Sequence, residues 1–369
     1  MLIGVPAETK DQEHRVGLTP AGARELVARG HGVLVQAGAG AAIGLADADY
    51  LAAGARIAAQ AQEVFARAEL VVKVKELQPA ERGWLRPGQV LFAYLHLAPD
   101  RAQAEALLAS GAVAIAYETV TGPGGTLPLL APMSEVAGRM AVQVGAACLE
   151  MPRGGRGVLL GGVPGVERGR VVVLGAGNVG ANAVRMAVGL GAEVTVLARG
   201  PERLRRLDDL YGNRIATRIA GLQAIEDAVT QADLVIGAVL QPGAAAPKLV
   251  DRATVARMKR GAVVVDVAID QGGCFATSRP TSHSQPTFVE EGVVHYCVTN
   301  MPGAVARTAT LALTQATLPH VLALAEQGWR AAVARDAHLR AGLNVVDGAV
   351  TCRPVAEALG LPWRDPATL

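Results

Sequence analysis

Val171-Val172-Val173-Leu174-Gly175-Ala176-Gly177-Asn178-Val179-Gly180 is the stretch that decides the fold. Four apolar residues read as a buried strand. The glycines follow as G-x-G-x-x-G, and Ala181, Ala183, Met186, Ala187 and Leu190 then continue with helical spacing. In such a strand–turn–helix, Gly175 permits the tight turn. Gly177 lets backbone approach a pyrophosphate, and Gly180 lets the helix pack close to the strand. The helix start, Asn178 to Arg185 with Asn178 and Val179 foremost, offers free N–H groups and a positive dipole end to phosphate. A second strand, Glu193-Val194-Thr195-Val196-Leu197, follows at the distance a βαβ unit requires. The pattern predicts a Rossmann dinucleotide-binding domain. The structural alternative is a glycine turn with no ligand.

Composition narrows the rest. At 369 residues the chain is long enough for two domains, and 51% hydrophobic content allows large cores. The net charge is +2 and only 3% of residues are aromatic. The one basic block, Arg203, Arg205 and Arg206, is followed closely by Asp208 and Asp209. A nucleic-acid surface needs clustered cations and stacking rings, so no nucleic-acid partner is expected. There is no uninterrupted apolar run of membrane-spanning length and no signal-peptide pattern, which points to a cytoplasmic protein without membrane association. Cys148, Cys274, Cys297 and Cys352 lie far apart and form no CxxC pair, so reduced thiols and no metal site are expected.

Strand and helix signals alternate through the first hundred-odd residues. Strands are expected at 2–5, 32–35, 70–75, 89–97 and 113–117, with helices from Thr19-Pro20 to Gly30 and near 58–68 and 100–110. This predicts a first α/β domain, mostly parallel, ahead of the glycine stretch. Ser134 is expected to cap a long helix running to Cys148. Further strands of the fingerprint domain are expected at 233–239, 262–268 and near 294–298, and a helix at about 308–327. The expected division is 1–128 plus 307–369 as a substrate domain and 129–306 as the dinucleotide domain, two doubly wound units with a cleft between them.

Ligands of open parallel sheets sit beyond the carboxyl ends of the strands, so polar residues there are candidates. Lys75 ends one strand and His96 lies near the end of another. Alternation puts Phe92, Tyr94 and His96 on one face. Asp270 follows the strand ending at Ala268, and Arg15 sits in a polar loop after the first strand. Each has a structural reading too. Lys75 fits a solvated edge charge like Lys73, His96 a hydrogen-bonded structural histidine, Asp270 a turn cap and Arg15 an exposed loop charge.

The chain resembles the alanine dehydrogenases almost end to end. The matching segments include Arg15-Val16-Gly17-Leu18-Thr19-Pro20, Val72-Lys73-Val74-Lys75-Glu76, Tyr94-Leu95-His96-Leu97 and Tyr117-Glu118-Thr119. They continue with Pro132-Met133-Ser134-Glu135-Val136-Ala137-Gly138-Arg139-Met140, Val265-Asp266-Val267-Ala268-Ile269-Asp270-Gln271-Gly272-Gly273 and Asn300-Met301-Pro302-Gly303. The resemblance implies reversible, NAD(P)-dependent oxidative deamination of L-alanine to pyruvate and ammonium by a homo-hexamer. It implies that Arg15 and Lys75 hold the substrate carboxylate, that His96 transfers protons and that Asp270 orients the substrate nitrogen and the attacking water. Met133 and Asn300 would meet the substrate, and Ser134 would face the cofactor phosphate. Val239, Leu240, Val267, Asp270, Arg279, Val298, Asn300 and Met301 would approach the cofactor. The α-subunit of nicotinamide nucleotide transhydrogenase shares several of these blocks and is the alternative, as is a non-catalytic dinucleotide-binding module.

At one point the sequence departs from that family. The second strand of the βαβ unit should end in an acid that receives the adenosine ribose 2′-hydroxyl. Here Val194-Thr195-Val196-Leu197 ends in Ala198-Arg199-Gly200, with Arg203 one turn on. Loss of the acid and gain of Arg199 favour NADP(H), whereas the family resemblance favours NAD(H).

Overall fold

The computed structural model describes residues 1–239 and 246–368, so Leu240 lies outside the described residues. The chain divides into two compact units, Met1–Met133 with Val305–Leu369, and Ser134–Ala304. Each is built on a twisted, mainly parallel sheet, the two doubly wound α/β units that the alternation of strand and helix signals predicts.

In the first unit β1 (Leu2–Val5), β2 (Gly32–Gln36), β3 (Arg56–Ala58), β4 (Leu70–Val72), β5 (Val90–Ala93) and β6 (Val113–Ala116) run parallel in the order β6-β5-β4-β1-β2-β3. The last segment of the chain adds a hairpin, Leu343–Val346 and Ala349–Val350, antiparallel to β6. Residues of β4, β5 and β6 are fully buried apolar groups, as a sheet covered on both faces requires. Phe65, Leu91, Leu107, Ala114, Val345 and Val355 belong to one core cluster. Local signals set the helices between them. Thr19 caps Pro20–Ala28 by accepting from Gly22 N at 3.2 Å, and Asp100 caps Arg101–Ser110 by accepting from Gln103 N at 2.9 Å.

The second unit holds β7 (Arg170–Leu174), β8 (Glu193–Ala198), β9 (Ile215–Ile219), β10 (Leu234–Gly237), β11 (Val263–Asp266), β12 (Thr287–Glu290) and β13 (Val293–Tyr296). The order is β12-β13-β11-β10-β7-β8-β9, with only β12 antiparallel. Strand order reverses beside β7, and the glycine turn leaves β7 at that point for the helix Asn178–Gly189.

Several elements differ from what the sequence suggests. The apolar runs outlast the strands: β4 stops at Val72 rather than Lys75, β5 at Ala93 rather than Leu97, β10 at Gly237 rather than Val239, and β11 at Asp266 rather than Ala268. Hydrophobicity reports burial, and apolar residues just past the ladder, Val74, Leu95, Leu97, Ala238 and Ala268, stay buried after it has stopped. Ser134 is not a helix cap. The helix Ala131–Cys148 begins earlier, with Pro132 in its first turn, which proline tolerates. The long helix expected at about 308–327 spans Ala306–Arg335, but Gly328 breaks its geometry at φ 73°, next to the expected end at 327.

Close contact fixes the glycine turn. An ideal Cβ on Gly180 would fall 1.9 Å from the Gly175 carbonyl oxygen, whereas one on Gly189, in the same helix, meets nothing within 4 Å. Gly180→Ala is therefore expected to destabilise the unit by about 1–3 kcal/mol. Gly189→Ala is expected to be neutral or mildly stabilising. Thermal unfolding of the two variants checks this, and equal melting temperatures would contradict it.

Candidate active site

In the first unit the strands that stop early open into loops carrying ionisable side chains. The loop after β1 brings Arg15 to the end of β4. Gly17 allows it, because an ideal Cβ there would lie 2.6 Å from the Val72 carbonyl oxygen. Arg15 is buried and is gripped by the Glu13 carboxylate through Nε at 2.7 Å and Nη2 at 2.5 Å. Its Nη1 lies 3.0 Å from Met133 Sδ. Burial disfavours the charge on Arg15, but Glu13 outweighs it and holds the guanidinium above its usual range.

Lys75 follows β4 and is half-buried. Burial, and then the positive charge of Arg15, pushes its ammonium below the usual lysine value. The two cations therefore share one low-dielectric region. Against the burial that would raise it, Lys75 and Lys10 hold the Glu76 carboxyl below its usual value. Glu76 Oε2 and the Tyr117 hydroxyl are buried without hydrogen-bond partners. Unmet polarity of this kind suits a small polar ligand.

Lys73 is not the solvated edge charge that its sequence setting suggests. It is fully buried and pairs with Glu8 Oε2 at 3.1 Å and Glu81 Oε1 at 3.0 Å. Glu8 also receives Val74 N at 2.6 Å and Lys75 N at 3.3 Å. The Glu8 carboxylate thus takes up the N–H groups that β4 leaves when it stops.

His96 lies past the end of β5 at φ 47°, so strand alternation does not extend to it. Its ring nonetheless stacks on Tyr94, with centroids 5.8 Å apart and planes 4° apart. Tyr94 in turn meets Tyr117 edge-on at 5.1 Å and donates its hydroxyl to Leu129 O at 2.6 Å. The His96 side chain is 46% exposed, which suits a group that meets a ligand. A left-handed non-glycine residue costs on the order of 1–3 kcal/mol unless neighbours hold it. Glu118, after β6, is the neighbour: it receives His96 N at 2.7 Å and Leu95 N at 3.2 Å.

In the second unit the dinucleotide turn has the shape its chemistry needs. Gly175 has φ 112°, and an ideal Cβ would fall 2.4 Å from the Ala238 oxygen and 3.4 Å from Val239 Cγ2. Gly177 precedes the helix Asn178–Gly189 with no side-chain cap, and an ideal Cβ there meets only Arg203 Nη1, at 3.4 Å. The uncapped N–H groups of a twelve-residue helix and the open space over Gly177 fit a pyrophosphate. Asn178 is exposed and Val179 half-buried at this helix start. Ala198 is buried at the end of β8, and Arg199 is exposed just beyond it.

The remaining predicted residues lie around β11 and β13. Asp270 is exposed on the turn Val267–Gln271 that follows β11. Val267 is half-buried, Val298 and Met301 are buried, and Ser134 is half-buried. Asn300 has φ 63°, and its carbonyl accepts from His283 Nε2 at 3.1 Å. The Arg279 guanidinium is stacked 4.0 Å from the Phe288 ring centroid. The loop that carries Asp270 is organised by Asp266, to which sequence reasoning gave no role. Fully buried, it accepts from Cys274 N at 2.9 Å, Phe275 N at 3.3 Å, Ala268 N at 3.2 Å and Ser278 Oγ at 2.7 Å. Burial raises its carboxyl despite these donors. Glu8, Glu13 and Glu118 were missed in the same way. Among the described residues no group of three or more His, Cys, Asp or Glu side chains is arranged to hold a metal ion, and no helix is long and apolar enough to cross a membrane.

Comparison with known proteins agrees with this layout. Residues 4–137 match the family described as alanine dehydrogenase/PNT, N-terminal domain, and residues 141–353 match its C-terminal domain. An alanine dehydrogenase of Halomonas elongata is 60% identical over 369 residues, covering all of both chains. The chain belongs to the alanine dehydrogenase family. A solved L-alanine dehydrogenase superposes with a TM-score of 0.95 at 52% identity, over 98% of this chain and 99% of that one. The transhydrogenase of Sinorhizobium meliloti has a TM-score of 0.82 at 24% identity, over 95% and 98%, which is a likeness of fold. Identity over the full length thus favours the alanine dehydrogenases over the transhydrogenase subunit. Family membership brings a nicotinamide dinucleotide as cofactor, and the glycine turn has the shape to hold it.

The buried Lys73 yields a stability test. Lys73→Met would leave Glu8 and Glu81 facing each other without their cation. The expected loss is about 3–5 kcal/mol, as for other broken buried ion pairs. Denaturant unfolding measures it, and a loss below about 1 kcal/mol would show that the pair contributes only what a surface ion pair does.

Proposed function

We propose that the chain interconverts L-alanine and pyruvate plus ammonium, and that the cation pair Arg15–Lys75 is the receptor for the substrate carboxylate. One observation carries this assignment: the buried Arg15 guanidinium and the Lys75 ammonium share one region, in which burial and the charge of Arg15 disfavour the charge on Lys75. An arriving carboxylate relieves that repulsion and supplies an acceptor for the guanidinium and the ammonium. Met133, beside Arg15, borders the same place. Asn300 is a second substrate contact by resemblance.

When bound, the nicotinamide supplies the hydride acceptor. The residues of this chain do the rest. Arg15 and Lys75 hold the substrate by its carboxylate, which fixes the Cα. Oxidation at the Cα leaves an imine, and water adds to the imine carbon. His96 accepts the proton released by that water, an exchange an imidazole performs near neutral pH. Asp270 orients the nitrogen and the water. The carbinolamine then collapses and ammonium leaves. Gly175, Gly177, Asn178, Val179 and Gly180 receive the pyrophosphate, with Ser134 on the phosphate. Val239, Val267, Arg279, Val298 and Met301 border the rest of the cofactor. Leu240, assigned there by resemblance, lies outside the described residues. The proposed state is a homo-hexamer, carried over from the family resemblance, and the proposed setting is the cytoplasm, from the sequence reading.

His96→Ala is expected to lower kcat by roughly 100-fold or more, the contribution of positioned proton transfer. Cofactor affinity should be nearly unchanged. Steady-state rates of cofactor reduction with L-alanine, together with cofactor titration, check both. Retained kcat would return His96 to a structural role.

For the cofactor, the proposal is NADP(H). Ala198 cannot accept from a ribose 2′-hydroxyl or repel a 2′-phosphate. Arg199 is exposed at the strand end, and Arg203 reaches back over Gly177. The family resemblance supports NAD(H) as the second reading. The expected result is a higher kcat/KM with NADP than with NAD for the unmodified chain. Ala198→Asp should shift the ratio towards NAD by roughly ten- to a hundredfold, the size of a hydrogen bond to a charged group. If NADP is inert and Ala198→Asp leaves NAD use unaltered, the preference is for NAD(H).

A further inference from the structure

We infer that Glu118 is the positioning residue of the proton-transfer step, acting through His96. This rests on the reading that His96 carries the proton. Four observations converge on it. His96 holds a left-handed backbone conformation, φ 47°, that a non-glycine side chain rarely adopts. Its N–H and that of Leu95 both point into one carboxylate, at 2.7 Å and 3.2 Å, and that carboxylate belongs to Glu118. The same carboxylate faces the ring: Glu118 Oε1 lies 3.8 Å from His96 Nδ1. The other side of the imidazole is fixed by the parallel Tyr94 ring, whose hydroxyl is anchored on Leu129 O.

The arrangement separates the two ring nitrogens. Nδ1 is turned towards Glu118, which assigns Nε2 to the substrate side. When His96 takes a proton from water, the ring becomes cationic, and the nearest anion is the carboxylate that already fixes its backbone. Glu118 is only partly exposed, its side chain 16%, so bulk water does not cancel that attraction. One side chain therefore sets the backbone, the ring orientation and the local charge of the proton carrier. Glu118 reaches this place because β6 lies beside β5 in the sheet, so the turn Tyr117–Thr119 faces the end of β5.

The test compares Glu118→Gln and Glu118→Ala. Glutamine keeps an acceptor for the His96 N–H but removes the charge, whereas alanine removes both. The expected order of kcat is unmodified chain, then Glu118→Gln lower by roughly tenfold, then Glu118→Ala lower by roughly a hundredfold, within the range of positioned proton transfer. Cofactor affinity and the KM for L-alanine should stay within about threefold. Near-equal kcat in all three proteins would overturn the proposal. So would parallel losses in kcat, KM and cofactor affinity, which a general structural role would give. A second comparison removes Glu118 from a His96→Ala background, read by single-turnover cofactor reduction with enzyme in excess. No further loss is expected there, because a residue that acts through His96 has nothing left to act on. A further hundredfold loss would overturn the proposal. Full activity of His96→Ala alone would instead overturn the role of His96, so the two failures are distinguishable.

Discussion

The site depends on carboxylates that capture backbone N–H groups where parallel strands end. A strand that stops inside a protein leaves N–H groups without a ladder partner, and a buried unpaired N–H is costly. Glu8 takes up Val74 and Lys75 beyond β4, Glu118 takes up Leu95 and His96 beyond β5, and Asp266 takes up Ala268, Cys274 and Phe275 beyond β11. In all three cases the captured segment carries or leads to a residue that handles substrate in the proposed reaction. The carboxylates stand where the fold needs acceptors, and they fix the backbone where the chemistry needs rigidity.

Burying these acids has a cost of its own, and the structure offsets it unevenly. Glu8 has the Lys73 ammonium, yet burial still leaves its carboxyl above the usual value. Asp266 relies instead on three backbone N–H donors and one hydroxyl. Hydrogen bonds to the charged form favour ionisation, but here they do not fully overcome desolvation. Glycine does complementary work. Gly237 and Gly273 have ideal Cβ positions 3.0 Å and 2.5 Å from the Asp266 carboxylate oxygens, so side chains there would displace the acceptor itself. The glycines around β11 therefore serve its carboxylate, as those after β7 serve a phosphate.

Much of this was legible in the sequence, for identifiable reasons. The G-x-G-x-x-G turn was readable because Gly180 and Gly175 answer local steric demands, an ideal Cβ falling 1.9 Å and 2.4 Å from backbone oxygens, while Gly177 leaves space open. The helix at Pro20–Ala28 was readable from Thr19 and Pro20, a cap and a first-turn residue. Strand ends were not readable, because β5 and the residues after it are equally apolar and only the ladder distinguishes them. Lys73 was misread because its partners, Glu8 and Glu81, come from other parts of the chain. The roles of Glu118 and Asp266 were invisible for the same reason: a side chain accepting from backbone N–H groups leaves no periodic trace. Strand ends singled out Arg15, Lys75 and His96 and resemblance suggested their roles, but neither indicated what holds them.

The charge arrangement also bears on which substrates the site can accept. Around Arg15 and Lys75 stand Glu13, Glu76, Lys10, Glu8 and Lys73, nearly all paired with one another. In such a balanced cluster a neutral ligand gains little from electrostatics, and a cationic one meets Lys75 and Arg15 as like charges. An anion gains most at Lys75, whose proton is weakened by burial and by Arg15. The arriving negative charge offsets the repulsion that Lys75 feels from Arg15, so anion binding and the lysine's positive charge favour each other. Discrimination for a carboxylate follows from this coupling rather than from an unpaired cation waiting in the site. Glu13 holds the Arg15 guanidinium through Nε and Nη2, so an arriving carboxylate meets a guanidinium of fixed orientation beside Lys75.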